Sequence, residues 1–272
     1  MNKFQEILGK WETPFTKETK EAWEELQPRL KASATETPVV RFSWKPLVSV
    51  AAAAAVIVAV VMIWPKAKLI RRETVMAEHV MVDLPDQSTA NLNASSSITF
   101  SEDWDEERTV ELNGEAFFEV KKGSKFSVVT KQGIVEVLGT SFDVYSRGDD
   151  FRVECRTGRV KVIAGKSEVE IIPGKSAMLK GSSLEIADFD LNRLDWQDGE
   201  FNYNDEPLQN VLDELARQFK IEIRADISKE RLYTGGFTNK DLRKALDLVC
   251  RPMNLNYEIN NENQVIITEM TR

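Results

Sequence analysis

The spacing of hydrophobic and polar positions changes three times along the chain, and each pattern predicts a different structure. Near the beginning, Ala22, Trp23, Leu26 and Leu30 recur at the spacing of one helical face, which predicts a helix over 19–30. Acidic residues lie near the start of this segment and basic residues near its end, as the helix dipole favours. We therefore expect a short helical arm over 1–46, which is either a disordered tail with helical tendency or a segment that docks into a groove of a partner.

A continuous apolar run follows the arm. Residues 47–64 contain one polar side chain, Ser49, and lie between Lys45 and Lys66. As a helix this run would be about 27 Å long, close to the hydrocarbon thickness of a bilayer. It predicts a transmembrane helix over 47–64, followed by a linker over 65–79. Basic residues are equally frequent on both sides, so the positive-inside rule gives no orientation.

Beyond the linker the period changes to two. From Phe151 to Thr157 apolar residues alternate with charged ones, and Gly158 provides the next turn. Similar short strands recur through 80–187, separated by glycines and without helical segments between them. This predicts an all-β domain, either a sandwich or a solenoid-like coil of strands. The pair Asn113-Gly114 predicts a tight turn between two of its strands.

The last segment, 198–272, mixes both periods. Leu208, Val211, Leu212, Leu215 and Phe219 share one helical face, and a second helical face follows near 242–249. Short apolar strands lie before, between and after these two helices. The order predicts a small α+β domain with βαβ-βαββ topology, so the predicted fold class is mixed: helical arm, transmembrane helix, all-β domain and α+β domain.

Composition and motifs argue against catalysis. The chain has 36 basic and 44 acidic residues, for a net charge of −8, which argues against direct binding of nucleic acid. It has a single histidine, His79, which we expect to be a solvated linker residue, and two cysteines, Cys155 and Cys250, expected to be free and buried in separate domains. Two Gly-Lys-Ser triplets lack the first glycine of a P-loop, and the acidic cluster over 102–107 does not have the spacing of a calcium loop. We therefore predict no catalytic residue, no cofactor, no metal and no enzyme activity.

Several stretches resemble a known family. Leu-Asn-Gly-Glu-Ala-Phe-Phe-Glu-Val over 112–120 and Val-Leu-Gly-Thr-Ser-Phe-Asp-Val over 137–144 are similar to motifs of the FecR family of anti-sigma regulators, as are 84–88 and 158–162. Residues 199–269 resemble the C-terminal domain attached to such regulators in Bacteroidetes-type bacteria, which is akin to the short N-terminal domain of secretins and TonB-dependent receptors. The arm is weakly similar to the cytoplasmic anti-sigma segment of the family.

The resemblance implies a function and a location. It implies a single-pass inner-membrane regulator with a cytoplasmic arm that binds an extracytoplasmic-function sigma factor. Its remaining domains would be periplasmic, where the last one would meet the signalling domain of a TonB-dependent, SusC-like transporter. Two other classes stay open: a membrane-anchored carbohydrate-binding β domain without a sigma partner, and a secretin-like component of an envelope assembly. The arm distinguishes them, because only a regulator needs it to bind a cytoplasmic protein.

Two sets of partner-binding residues follow from this hypothesis. Trp23, Leu26 and Leu30 are expected to bind the sigma factor with the apolar face of the arm. For the transporter, the candidates are two strands expected to lie at sheet edges, 232–237 and 264–268, because an edge strand can pair with a strand of another protein. We favour the second, with Val265, Ile266 and Ile267; the alternative is that this strand is internal.

Overall fold

The computed structural model describes residues 19–32, 68–104, 108–193, 195–228, 230–260 and 263–270. The chain divides into two units, Met1–Pro65 and Lys66–Arg272. In the first unit the structure describes helix α1 (Thr19–Ala32), which confirms the predicted helix of the arm.

The predicted fold class needs a correction. Within the described ranges, no helix is both long enough and apolar enough to cross a membrane. The predicted transmembrane segment, 47–64, lies outside the described residues. What the structure describes is mostly β-strand with a few short helices, so the mixed class with a transmembrane helix as one of its four parts is wrong for this part of the chain.

The second unit, which we call the β-rich unit, begins with thirteen strands, among the described residues, that are connected into one sheet folded around a single core, and we call this part the sandwich. Most of these strands alternate buried and exposed side chains, as strands do when one face covers a core. Within the described residues the strands of the sandwich are β1 (Leu69–Glu73), β2 (Val80–Asp83), β3 (Thr89–Leu92), β4 (Ser97–Ser101), β5 (Arg108–Glu119), β6 (Phe126–Val129), β7 (Gly133–Val137), β8 (Ser141–Arg147), β9 (Asp150–Cys155), β10 (Val160–Ala164), β11 (Ser167–Ile171), β12 (Lys175–Lys180) and β13 (Ser183–Asp188).

The long strand β5 belongs to both halves of the sandwich. Its first half pairs with β4 and, in parallel, with β6, in the order β1-β4-β5-β6-β7-β10-β11. Its second half pairs with β3 and β8, in the order β2-β3-β5-β8-β9-β12-β13. The predicted turn at Asn113-Gly114 is therefore wrong. The strand continues through this pair and changes sheets there, and Gly114 has a φ of +111°, which favours glycine.

One apolar core lies within the sandwich. Its largest fully buried side chains include Phe118, Phe126 and Phe142, and the Phe118 and Phe142 rings stack with centroids 5.3 Å apart. Aromatic side chains of this size supply much of the apolar area that a β-sandwich buries. The core also contains Cys155, whose thiol is free, as predicted.

The rest of the β-rich unit, which we call the C-terminal domain, contains every predicted strand and helix. Its elements are β14 (Glu200–Pro207), α2 (Leu208–Phe219), β15 (Glu222–Asp226), β16 (Leu232–Thr238), α3 (Leu242–Cys250), β17 (Leu255–Ile259) and β18 (Gln264–Glu269), preceded by a 3-10 turn at Trp196–Asp198. The strands form two small sheets, β14-β16 and β15-β18-β17. Both helices bury their apolar faces in a second core that also contains the second free cysteine, Cys250.

The favoured edge strand is in fact central. Strand β18 pairs in parallel with β15 on one side and antiparallel with β17 on the other. The prediction that 264–268 is an edge strand is therefore wrong, and the alternative, an internal strand, is confirmed. The parallel partner β15 lies some forty residues earlier, so the local pattern of β18 could not indicate it.

Candidate functional site

The first candidate site is one face of helix α1. Trp23, Leu26 and Leu30 follow one another at three- and four-residue intervals, so they share a face. Their exposed fractions are 59%, 48% and 58%. The structure thus brings the three predicted arm residues together on a surface that is open to solvent.

Such a face has a physical cost unless something covers it. A helix of 14 residues is marginally stable alone, because most helical stability in proteins comes from packing of the apolar face. Large apolar side chains grouped on an exposed face commonly mark a surface that binds another protein. The geometry of α1 therefore suits insertion of its apolar face into a groove of a partner.

The second predicted set is placed differently. Val265 and Ile267 on β18 are fully buried in the core of the C-terminal domain, and Ile266 is half-buried. Their backbone groups lie in a strand that has neighbours on both sides. The three residues are adjacent, but the structure gives a partner strand no free edge at this position.

A polar interface that the sequence did not predict joins the sandwich to the C-terminal domain. Four buried side chains form its centre, and we call them the clasp: Asn93 and Glu115 from the sandwich, and Glu214 and Gln218 from α2. The Asn93 amide donates to Glu115 over 2.6 Å. The Gln218 amide donates to Asn93 over 2.7 Å and to Glu214 over 2.8 Å. Two carboxyl groups from different domains are thus connected through two amides.

The electrostatic surroundings of the two carboxyl groups differ. Burial, and after it the nearby charge of Glu214, raise the pKa of Glu115 to about 7, against the opposing effects of Arg147, Arg152 and the Asn93 hydrogen bond. Burial also acts to raise the pKa of Glu214, but the Arg217 guanidinium, 2.6 Å away, and Arg147 hold that pKa below its usual range. Glu115 is therefore the member of the clasp that exchanges a proton near neutral pH.

Further contacts join the same two domains beside the clasp. Trp196 donates its indole N–H to buried Asp143 over 2.9 Å. Burial, then the charges of Glu115 and Glu154, raise the pKa of Asp143. His79 lies edge-on against Trp196, with ring centroids 5.5 Å apart, and its Nε2 is 3.1 Å from the Gln218 amide oxygen. His79 is exposed, which agrees with the prediction of a solvated linker residue, but its ring also contacts this interface.

Two ion pairs connect β9 and the turn after it to the residues that precede the C-terminal domain. Arg193 binds both oxygens of Glu154, at 2.6 and 2.7 Å, and Arg156 binds Asp195 over 2.7 Å. Glu154 is buried, so removal of Arg193 would leave the charge of Glu154 without this partner inside the protein, which is costly. The residues that follow the sandwich are therefore attached to β9 and the turn after it by specific contacts.

A small cavity of about 60 Å³ lies at the interface, with Tyr145, Arg152 and Tyr203 among its lining residues. Pockets for small-molecule ligands usually have volumes of roughly 300–1,000 Å³. Among the residues that the structure describes, no group of His, Cys, Asp or Glu side chains is arranged to hold a metal ion. The interface thus has the chemistry of a domain contact.

One sequence signal could have indicated this interface. On the second half of β5, Phe117 lies on the same face as Glu115, and the opposite face fills the sandwich core. An aromatic residue on an otherwise charged face suggests that another element covers it. In the structure, Phe117 packs against the core of the C-terminal domain.

The geometry defines a class of protein: a β-sandwich joined to a small α+β domain, with a separate helix that presents an apolar face. Comparison with known families agrees. The model described as FecR protein matches residues 71–161, and the model described as FecR, C-terminal, matches residues 200–267. No curated protein matches the sequence.

Solved structures give the same result. Two crystal structures, at 2.50 and 1.65 Å resolution, are described as a "putative anti-sigma factor" from Parabacteroides distasonis ATCC 8503. They are 26% and 25% identical to this chain, cover 75% and 74% of it and 100% of their own chains, and superpose with TM-scores of 0.71 and 0.69. The two family models together match more than half of the chain. The protein belongs to the FecR family of anti-sigma regulators, which confirms the resemblance seen in the sequence.

Proposed function

We propose that this regulator binds an extracytoplasmic-function sigma factor through Trp23, Leu26 and Leu30, and that its β-rich unit receives a signal from a TonB-dependent transporter. The observation that carries the proposal is the exposed apolar face of α1 in a chain that belongs to the FecR family. A regulator of this class needs a surface for its sigma factor. The face of α1 has the composition and the exposure for that role.

The energetics are sufficient for specific binding. Large aromatic and aliphatic side chains that become fully buried at the centre of an interface contribute about 2–4 kcal/mol each when they are hot spots. Loss of about 2 kcal/mol weakens binding roughly 30-fold. Trp23 is the strongest candidate, because tryptophan is enriched among hot spots and more than half of its surface is exposed before binding.

Binding of the full chain to its cognate sigma factor tests the first half of the proposal. Trp23→Ala and Leu26→Ala are each expected to weaken capture by about 30-fold or more. Glu21→Gln is the matched control, because this residue lies on the opposite side of the helix, and it should bind like the unmodified chain. Equal capture of all four proteins would contradict the assignment.

For binding of the transporter, the remaining candidate edge strand is the one that contains 232–237. Strand β16, which contains the predicted segment 232–237, pairs with β14 in its two-stranded sheet, and no further strand is paired with it among the described residues. We place addition of a transporter strand there, because the backbone groups of β18 are already paired on both sides. Hydrogen exchange of the full chain, with and without the transporter's signalling domain, tests this. Slower exchange at 232–238 is expected, and slower exchange confined to other segments would contradict it.

The location also belongs to the proposal: inner membrane, with the arm in the cytoplasm and the β-rich unit in the periplasm. Alkaline phosphatase is active only outside the cytoplasm, so fusions at Lys31 and Ser182 report the two compartments. We expect activity at Ser182 and none at Lys31. The reverse pattern would exclude this orientation.

A further inference from the structure

The clasp brings together groups that rarely lie side by side inside a protein. Glu115 and Glu214 are 5% and 4% exposed, Asn93 and Gln218 are 0% and 5% exposed, and each domain contributes one carboxyl and one amide. Both amides of the clasp donate to carboxyl oxygens, and the Asn93 amide occupies one oxygen of Glu115, so the other oxygen of Glu115 can carry either a proton or a negative charge. Two ionised carboxylates that share a buried site repel each other.

We propose that the clasp couples docking of the C-terminal domain onto the sandwich to the uptake of one proton by Glu115, so that the two domains hold together more tightly as the pH falls. This inference concerns the β-rich unit alone and does not depend on either partner proposed above. The hydrogen bonds of the clasp hold the two domains together, and the proposal adds that the strength of this contact depends on pH.

The direction of the effect follows from which groups leave when the domains separate. Undocking removes Glu214 and the cover of α2 from Glu115, so the pKa of Glu115 falls from about 7 toward its ordinary value of 4.5. The docked state therefore binds more protons between these two values. The stabilisation of docking is complete below about pH 4.5, and it is lost as the pH rises through about 7.

The size of the effect has an upper limit. A pKa difference between 4.5 and about 7 corresponds to roughly 300-fold in the docking equilibrium, since each unit is a factor of ten. Part of the burial of Glu115 comes from the sandwich itself, and that part remains after undocking. We therefore expect a change of roughly 10- to 100-fold between pH 5 and pH 8.

Other charged and titratable groups surround Glu115, and the test must separate them. From β8, β9, α2, β14 and the segment before β2 these are Asp143, Tyr145, Arg147, Arg152, Glu154, Glu214, Arg217, Tyr203, Glu206 and His79. Of these, His79 needs a control of its own, because its ring contacts both Gln218 of the clasp and Trp196 of the interface.

Hydrogen exchange of the full chain at pH 5 to 8, corrected for the intrinsic pH dependence of exchange, measures opening of the interface. The amides of α2 near Glu214 and Gln218 should open roughly 10- to 100-fold more often at pH 8 than at pH 5. Amides of β8 and β9, inside the sandwich, should not follow this trend. If opening of α2 does not depend on pH, the proposal is wrong.

Three variants identify the responsible group. Glu115→Gln should remove most of the pH dependence, leaving at most the part that Asp143 contributes, whereas Glu119→Gln, at an exposed position of the same strand, should preserve all of it. His79→Asn should also preserve it, and loss of the pH dependence in His79→Asn alone would transfer the role to the imidazole and overturn the proposal. If Glu115→Gln does not fold, Glu214→Gln is the alternative variant. Removal of the Glu214 charge should reduce the pH dependence of α2 opening. An unchanged pH dependence in Glu214→Gln would overturn the proposal.

Discussion

Replacement of Gly114 by alanine tests the account of β5 as a strand shared by two sheets. A Cβ atom at this position would lie 2.5 Å from the Ser96 hydroxyl oxygen and 2.7 Å from the Ser96 Cα. Real Cβ atoms are not found at such distances from backbone, so either β5 or the Ser96 backbone has to move. The φ of +111° is also unfavourable for any residue that has a side chain.

The expected loss can be worked out from the contacts of Ser96. Its amide donates to the Thr74 hydroxyl over 2.9 Å, and its carbonyl accepts from the Thr74 amide over 2.8 Å. Its hydroxyl accepts from the Glu115 amide over 3.0 Å. Breaking one or two of these bonds costs about 1–3 kcal/mol, and the backbone strain adds about 1–2 kcal/mol. Gly114→Ala should therefore lower the free energy of unfolding by about 2–5 kcal/mol.

Urea unfolding of the full chain, followed by circular dichroism, measures this loss. Gly148→Ala is the matched control, because Gly148 also has a positive φ, +57°, but a Cβ there would meet nothing within 4 Å. The control should lose only about 1 kcal/mol from backbone strain. If both variants unfold at the same urea concentration, the close approach of β5 to Ser96 does not constrain the fold, and the reasoning is refuted.

Two further predictions concern buried groups. Trp196→Phe keeps the ring but removes the N–H that binds Asp143, so it should cost about 1–3 kcal/mol at pH 8. Because burial and then the charges of Glu115 and Glu154 raise the pKa of Asp143 in the folded protein, the carboxylate that the indole N–H binds is lost as the pH falls, and the effect of the substitution should shrink with it; an effect that grows as the pH falls would contradict this. Burial raises the pKa of both Cys155 and Cys250 to about 11, so alkylation of the native chain at pH 8 should be roughly 100-fold slower than that of the urea-unfolded chain, and comparable rates would argue against buried thiols.

Local patterns predicted the elements well and the long-range pairings poorly. Strands β5 to β12 and both helices of the C-terminal domain follow from alternation and helical spacing within short segments, whereas β1 lies in the segment predicted as a linker, 65–79. The tight turn at Asn113-Gly114 was wrong because pairing with four other strands outweighs a two-residue turn preference. The central position of β18 depends on its parallel pairing with β15, and no property of 264–268 reveals a partner so distant in sequence.

The same limit applies to the candidate sites. Trp23, Leu26 and Leu30 could be predicted because a single helix determines their common face. The clasp could not, because Asn93 and Glu115 come from one domain while Glu214 and Gln218 come from another. In the sequence, each of these residues is one polar residue among many, and only the docking of α2 onto β5 gives them a shared environment.

The central position of β18 has a consequence for the order in which the protein is made. The sandwich is complete in sequence once β13 has been synthesised, and domains generally begin to fold in that order. The sheet β15-β18-β17 has to wait for its middle strand, which is the last of the three to leave the ribosome. Until β18 is in place, α2 lacks part of the core against which it packs. The face of β5 that carries Glu115 and Phe117 then stays uncovered. A nascent chain therefore exposes for a time the surface that the mature protein closes, and chaperones would be expected to act on it there.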